Sequence, residues 1–308
     1  MAVAIASAAT ATAAAGADTV VVTAPASIAT GDTLLIIATS SDELSTMTSP
    51  NFTESFSYKV GGLSGRRGNI TVLYKTAVSA DETASNYTIT NDNTGFGTMG
   101  GVVMYRITGA ATGDPVFSRA TSNDFLSTSG GLDVDETVSL ERPSQQLNFI
   151  VASAFCPSAL SSGEISVSSY EIVSTDSNPT WTESIDTSFS VGDTQSWDAN
   201  LAVAYAASTD TSTVTGYKFD YREISLDEPS LGMWAYFIIP SPLAASGTNT
   251  LTEATAETFE GSGVANTAGS NSLTETTAIT FEQPGTGTSP TQWTNETKPS
   301  TTWVNETK

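Results

Sequence analysis

A succession of short apolar segments separated by turn residues constrains the fold of this chain most strongly. Segments such as DTVVVTAP (18–25), NITVLYKTAV (69–78) and NLAVAYAAS (200–208) are rich in β-branched and aromatic residues, and many of their apolar residues alternate. This pattern is typical of strands, whose side chains point alternately to the two faces of a sheet. Because no amphipathic helix lies between the segments, the sequence predicts an all-β fold, an antiparallel β-sandwich that is jelly-roll-like.

The strength of the strand pattern varies along the chain. TLLIIATS (33–40) has a continuous apolar centre, which predicts a strand buried on both faces. Residues 110–140 are polar and loop-like, with room for a short edge strand. Pro240 and Pro242 end the last strong segment, so the sandwich domain is assigned to 18–242. The Ala/Thr-rich residues 1–17 are assigned to an N-terminal arm, with a first strand or a short helix as alternatives.

The C-terminal region is repetitive. NTLTEATAETFE (249–260) recurs as NSLTETTAITFE (271–282) after 22 residues, and these acidic repeats are assigned to 243–290. WTNETK (293–298) recurs as WVNETK (303–308), and the Trp-containing repeats are assigned to 291–308. Since each 22-residue unit holds one alternating segment, we predict a repetitive β-rich extension.

The repeats need a partner surface, because one or two such units cannot bury their apolar side chains alone. We predict that Phe259, Phe281, Trp293 and Trp303 anchor the extension on the parent domain or on a neighbouring subunit. The alternative is a disordered low-complexity tail. Free edge strands and repeats also favour a homo-oligomer.

Composition removes several classes of function. The 33 acidic and 11 basic residues give a net charge of −22, which disfavours nucleic-acid binding. There is no histidine, so Ser-His-Asp and Cys-His catalysis are excluded, and the single cysteine excludes an intrachain disulfide. No apolar run is long enough to span a membrane. The many acids lie in no distinctive pair motif, so we expect no enzyme.

Two binding alternatives remain open at this level. Trp181 and Trp197 lie in a polar stretch, where aromatic rings would suit a carbohydrate-binding module that contacts the host cell surface. We expect no cofactor and no bound metal. Ca²⁺ at the acidic stretch DVDET (133–137) is an alternative, although EF-hand spacing is missing.

Several of these segments carry a family resemblance over residues 20–240. Gly31-Asp32, Lys75-Thr76-Ala77, Tyr105-Arg106 and Pro115 match local patterns, in that order, of a β-sandwich domain found in structural proteins of tailed bacteriophages and some bacterial surface proteins. The chain departs from the pattern at Phe52, where Trp is usual, and at Ile107, where Gly is usual. From their chemistry, we expect Lys75 and Arg106 to cover the sheet or pair with acids such as Asp81 or Asp114.

The resemblance implies a fold and a virion context, and it carries no catalytic residues. The WxNETK repeats also resemble short C-terminal repeats of phage structural proteins. These likenesses predict a surface-exposed virion protein, either a capsid decoration or head fibre or a tail or fibre component, with other virion proteins as partners. The N-terminus lacks a basic leader segment, so we expect synthesis in the host cytoplasm and release within particles on lysis.

Overall fold

The computed structural model is almost entirely β, which confirms the predicted all-β sandwich class. The chain divides into two compact units, Met1–Ser241 and Pro242–Lys308. The structure describes residues 2–14, 16–41, 45–63, 66–92, 99–111, 113–126, 130–143, 145–156, 165–174, 178–192, 196–223, 230–242, 259–260, 280–282 and 293–294.

The first half of unit one forms two antiparallel sheets, called inner sheet 1 and outer sheet 1. Inner sheet 1 has the strand order β1-β8-β3-β6-β5, and outer sheet 1 has the order β2-β7-β4. A short 3-10 helix, Ser79–Thr83, lies between β6 and β7. The strands are β1 (Ala4–Thr12), β2 (Thr19–Thr23), β3 (Thr33–Ser40), β4 (Met47–Thr48), β5 (Thr53–Leu63), β6 (Arg66–Thr76), β7 (Asn86–Asn91) and β8 (Met99–Thr108).

The second half forms inner sheet 2 and outer sheet 2, which are also antiparallel. Inner sheet 2 has the order β13-β14-β11-β16-β9, and outer sheet 2 has the order β10-β15-β12. The strands are β9 (Ser118–Leu126), β10 (Gly130–Leu140), β11 (Gln146–Cys156), β12 (Ile165–Val173), β13 (Thr182–Gly192), β14 (Ser196–Ser208), β15 (Val214–Glu223) and β16 (Ser230–Pro240).

The two halves have the same topology. Adding eight to every strand label of inner sheet 1 gives β9-β16-β11-β14-β13, which is inner sheet 2 written from its other edge. The same operation converts outer sheet 1, β2-β7-β4, into outer sheet 2, β10-β15-β12. Unit one is therefore an internal duplication of one eight-stranded sandwich, not the single sandwich expected from the sequence.

A shared irregularity supports the duplication. The pairing of β5 with β6 shifts register between Glu54 and Phe56. The pairing of β13 with β14 shifts at the matching place, between Glu183 and Ile185. A β-bulge inserts an extra residue and bends the strand, so its repetition at one topological position is a specific feature of the repeated unit.

Traces of the duplication survive in the sequence around these bulges. PNFTESF (50–56) matches PTWTESI (179–185), and the neighbouring strands match as NITVLY (69–74) and NLAVAY (200–205). The registers then fix equivalent positions across each inner sheet. One row reads Ala8, Tyr105, Leu35, Tyr74 and Thr53, and its counterpart reads Arg119, Phe237, Phe149, Tyr205 and Thr182.

Three apolar cores hold the four sheets as layers. The inner sheets pack face to face through residues such as Leu35, Tyr105 and Phe149, and each outer sheet covers the other face of its inner sheet. Both inner sheets are therefore buried on two faces. All residues of β3 are buried, which confirms the strand predicted from TLLIIATS (33–40).

Two segments differ from their sequence-based assignments. Residues Ala4–Thr12, expected in an N-terminal arm, form the edge strand β1 and pair with β8. The stretch 110–140, expected to be mostly loop, contains the long strands β9 and β10. Both segments have few large apolar residues because an edge strand needs ladder hydrogen bonds on one side and packing on only part of its surface.

Unit two contributes three short strands within its described residues. They are β17 (Phe259–Glu260), β18 (Thr280–Glu282) and β19 (Trp293–Thr294), in the order β17-β18-β19. No helix in the described ranges of the chain is long and apolar enough to cross a bilayer.

Candidate functional site

The charged residues of the matched motifs form ion pairs on the first sandwich. Arg106 donates from Nε to the Asp32 carboxylate at 2.6 Å. Lys75 donates from Nζ to Asp81 at 2.8 Å, as expected from the sequence. Arg106 thus pairs with the aspartate of the Gly31-Asp32 turn and not with Asp114, and Gly31 adopts a φ of 94° that favours glycine. These residues tie turns to strands, which is a structural role.

Asp81 is the centre of the larger of these clusters. Its carboxylate accepts hydrogen bonds from Lys75 Nζ at 2.8 Å, the Val78 amide at 2.8 Å and the Tyr87 hydroxyl at 2.9 Å. Burial raises the pKa of Asp81, but these hydrogen bonds outweigh burial and hold the pKa below its usual value. The carboxylate is therefore kept ionised, and it fixes the 3-10 turn onto β6 and β7.

Trp181, a predicted glycan contact, is half-buried at the start of β13. Its ring lies 5.9 Å from the Tyr170 ring, and its Nε1 donates to Asn178 Oδ1 at 3.1 Å. Phe52, its equivalent in the first sandwich, packs edge-on against Tyr87 at 5.7 Å. Each of the two rings packs on a tyrosine of its own outer sheet, Tyr87 on β7 and Tyr170 on β12, which favours a packing role. The glycan contact stays a prediction that glycan-array binding lost on Trp181→Ala would support.

The second predicted glycan contact, Trp197, has its backbone in β14 opposite Val191. Its side chain lies outside the described residues. The glycan role of Trp197, and a site shared with Trp181, therefore stay predictions.

The predicted tail anchors fall partly within the described residues. The backbone pairs Phe259 with Phe281 in parallel register and pairs Phe281 with Trp293 in antiparallel register. Three of the four anchors thus occupy one row across a small sheet, and equivalent positions of the 22-residue repeats are direct neighbours. Trp303 lies outside the described residues.

A groove on unit one was not predicted from the sequence. It lies between the edge strands β1 and β13 and has a volume of about 410 Å³. We call it the β1–β13 groove. Its lining consists of Ile5, Ala6, Ser7, Ala8, Ala9 and Thr10 of β1 with Thr182, Glu183, Ser184 and Tyr205 of the second sandwich.

Glu183 is the one charged residue among the lining residues of this groove. Its Oε2 accepts a hydrogen bond from the Tyr170 hydroxyl at 3.2 Å. Burial, followed by the neighbouring Asp186 carboxylate, raises the pKa of Glu183, while the Tyr170 bond lowers it less. A cation in the groove would therefore stabilise the ionised Glu183 carboxylate.

Sequence reasoning missed the groove because its residues lie far apart in the chain. Ala8 and Tyr205 fall in ordinary strand patterns, and Glu183 is one of many acids. The repeat of TESF (53–56) as TESI (182–185) was the available signal, since it marks two equivalent strands whose surroundings can be compared.

Neither a metal site nor similarity to known proteins assigns a function to this chain. Among the described residues, no group of three or more Cys, Asp or Glu side chains is placed to hold a metal ion. In comparisons with protein-family models, curated proteins and solved structures, nothing matches this chain. The phage resemblance of the matched motifs therefore stays a prediction.

Proposed function

We propose that this chain is a non-enzymatic virion structural protein of a tailed bacteriophage, exposed on the particle surface as a decoration or fibre component. In this proposal unit one is the exposed body and unit two is the assembly element, which docks on neighbouring virion subunits. The protein is made in the host cytoplasm and functions in the extracellular particle.

The arrangement of aromatic positions in unit two carries the proposal. Phe259, Phe281 and Trp293 are aligned across strands that are only two or three residues long. Such short strands cannot form a stable core, because an isolated small sheet is marginal in water. Aligned aromatic anchors of this kind are suited to insertion into a partner's surface, where Phe and Trp contribute much of the binding energy.

The body supports the same role. Four layers of antiparallel sheet with doubly buried inner sheets form a stiff unit, and an acidic surface resists nonspecific association. These properties suit a protein displayed in many copies on a particle.

Mass spectrometry of purified phage particles tests the proposal, with the chain expected at a fixed copy number per particle. A Phe281→Ala, Trp293→Ala variant should fold with an unchanged melting temperature of unit one and should be missing from particles. A Phe117→Ala variant, which removes an exposed aromatic side chain of unit one, is the matched control and should assemble normally. A chain absent from purified wild-type particles would reject the proposal.

A further inference from the structure

The duplication places one residue of each sandwich at equivalent edge positions. Ala8 of β1 lies opposite Tyr105 of β8, and Arg119 of β9 lies opposite Phe237 of β16. Tyr105 and Phe237 are equivalent, since they lie opposite Leu35 and Phe149 in the matching rows. Arg119 in the second sandwich therefore corresponds to Ala8 in the first.

The packing of the two sandwiches also repeats. Edge strand β9 faces β5, where Arg119 contacts Phe56. Edge strand β1 faces β13, where Ala8 and Ser184 line the same groove. Strand β1 is the equivalent of β9, and strand β13 is the equivalent of β5. The β9–β5 and β1–β13 junctions are therefore equivalent, and the same junction occurs twice in unit one.

Arg119 fills the β9–β5 junction. Its guanidinium carbon lies 4.7 Å from the centre of the Phe56 ring, and its Nη1 donates to the Ser55 carbonyl oxygen at 3.2 Å. Ser55 is the residue at the β5 bulge. The junction thus holds a guanidinium between an aromatic ring and a bulge carbonyl.

The β1–β13 junction keeps the same recess without an arginine. Ala8 occupies the place of Arg119 and is exposed, and Ser184 is the bulge residue in the place of Ser55. Ile185 replaces Phe56, and the lining of the groove includes Tyr205, which is the equivalent of Tyr74. Glu183 is the equivalent of Glu54, so both junctions have a carboxylate at this place, and no basic side chain belongs to the lining of the groove.

We propose that the β1–β13 groove binds an arginine side chain presented by an extended segment of a protein partner. The guanidinium lies in the groove as the Arg119 guanidinium lies at β9–β5, near the Ser184 bulge and the Tyr205 ring, and it pairs with the Glu183 carboxylate. Small residues such as Ala6 and Ala8 leave room for the partner's backbone along β1.

Arginine fits this groove better than lysine for two reasons. A planar guanidinium can stack on an aromatic ring and donate in several directions at once, whereas an ammonium is a compact and strongly hydrated charge. The internal counterpart at β9–β5 is itself an arginine. The inference rests on unit one alone and does not depend on the proposed virion role.

Titration of the full-length chain with a capped peptide, Ser-Thr-Thr-Arg-Thr-Thr-Ser, tests the proposal. The same peptide with citrulline in place of arginine has nearly the same shape without the charge. We expect amide shifts in nuclear magnetic resonance spectra at Ala8, Glu183 and Ser184. The affinity of the citrulline peptide should be at least about tenfold lower, because hydrogen bonds from a charged donor are stronger than those from a neutral one.

Two variants separate the groove from the rest of the surface. Glu183→Gln should weaken arginine-peptide binding about tenfold, and Ala8→Arg should abolish it by supplying the missing guanidinium. Glu54→Gln is the matched control, since Glu54 is the equivalent of Glu183 at the filled junction and should leave binding unchanged. Thermal unfolding verifies that each variant is folded.

Several results would overturn the proposal. These are equal affinity for the arginine and citrulline peptides, no binding of either peptide, or full binding by both Glu183→Gln and a folded Ala8→Arg. Self-association of the full chain that Ala8→Arg removes would support the groove and identify a second copy of this chain as the partner.

Discussion

The two sandwiches share one topology but fill their outer cores with different chemistry. In the first sandwich, the core between inner and outer sheets is aliphatic, with Val20, Ile36 and Met104 among its members. In the second sandwich, the same core contains six buried aromatic residues, with Phe219 and Trp234 in edge-to-face contact at 5.8 Å. One arrangement of strands therefore tolerates very different side chains.

Side-chain sizes change in opposite directions on different strands of one cross-strand row. Val102, Ala38 and Thr71 form one row of inner sheet 1, and Trp234, Ala152 and Ala202 form its equivalent in inner sheet 2. The large Trp234 in β16 is matched by the small Ala202 in β14. Total volume is what a core must conserve, and the position of the large residue is free to change.

The largest expected effect comes from removing the largest member of the aromatic core. Trp234 is buried, and its Nε1 donates to Glu136 Oε1 at 2.8 Å. We expect Trp234→Ala to lower the free energy of unfolding by about 4 kcal/mol, because the cavity cannot collapse. Val102→Ala, the equivalent change in the first sandwich, should cost no more than about 2 kcal/mol. Urea denaturation measures both, and equal losses would contradict the comparison.

Buried charge pairs give the next largest effect. Asp81→Ala strips Lys75 of its partner and should cost about 3 kcal/mol. Asp210→Ala in the second sandwich should lower the free energy of unfolding more, because it leaves Arg142 without its carboxylate partner. The Arg142 side chain is 1% exposed, whereas that of Lys75 is 11% exposed. Denaturation at neutral pH tests this order, and a larger loss for Asp81→Ala would contradict it.

The lowered pKa of Asp81 also predicts a pH dependence. Because its pKa is lower in the folded than in the unfolded chain, its stabilisation is complete above the unfolded pKa and is lost as pH falls through the folded pKa. The stability gap between the native chain and Asp81→Asn should therefore shrink on acidification. Paired denaturation curves across the acid range measure the gap, and a gap that grows would refute the assignment.

A close approach of the two inner sheets gives a smaller effect. A Cβ at Gly68 would lie 2.6 Å from Met233 Sδ and closer still to the Phe155 ring. Gly68→Ala should therefore cost about 2 kcal/mol through overpacking. Ala199, the equivalent in the second sandwich, is buried and already carries a Cβ. Adding Phe155→Leu should restore part of the loss, and a double variant no more stable than Gly68→Ala would argue against a clash.

The smallest expected effect concerns the filled junction. Arg119 is exposed, so Arg119→Ala should cost less than about 1 kcal/mol through the lost contact with Phe56. Arg119→Lys should recover only part of that loss, since lysine lacks the planar guanidinium. Thermal unfolding measures both variants, and full recovery by lysine would weaken the case for a guanidinium-specific junction.

Much of the fold was predictable where one strand carries its own pattern. The apolar centre of TLLIIATS (33–40) indicated a doubly buried strand, and Pro240 and Pro242 indicated the end of the body. Edge strands β1 and β9 were open only as alternatives to an arm and a loop because their residues are small or polar, and their pairing with β8 and β16 holds them in place.

The candidate groove depended on information that no single segment holds. Ala8, Glu183 and Tyr205 are ordinary residues until the registers of both inner sheets show that Ala8 stands where the other sandwich has Arg119. The Phe and Trp spacing of the tail repeats, in contrast, was visible directly in the sequence.

By itself, the sequence determined the all-β class, the doubly buried strand and the repeated aromatic positions of the tail, because these follow from the local period of apolar residues. Only the tertiary structure decided that the body is a duplicated sandwich and that one of its two equivalent junctions lacks an arginine. Pairing and packing between strands far apart in the chain depend on register and volume, which local periodicity does not encode.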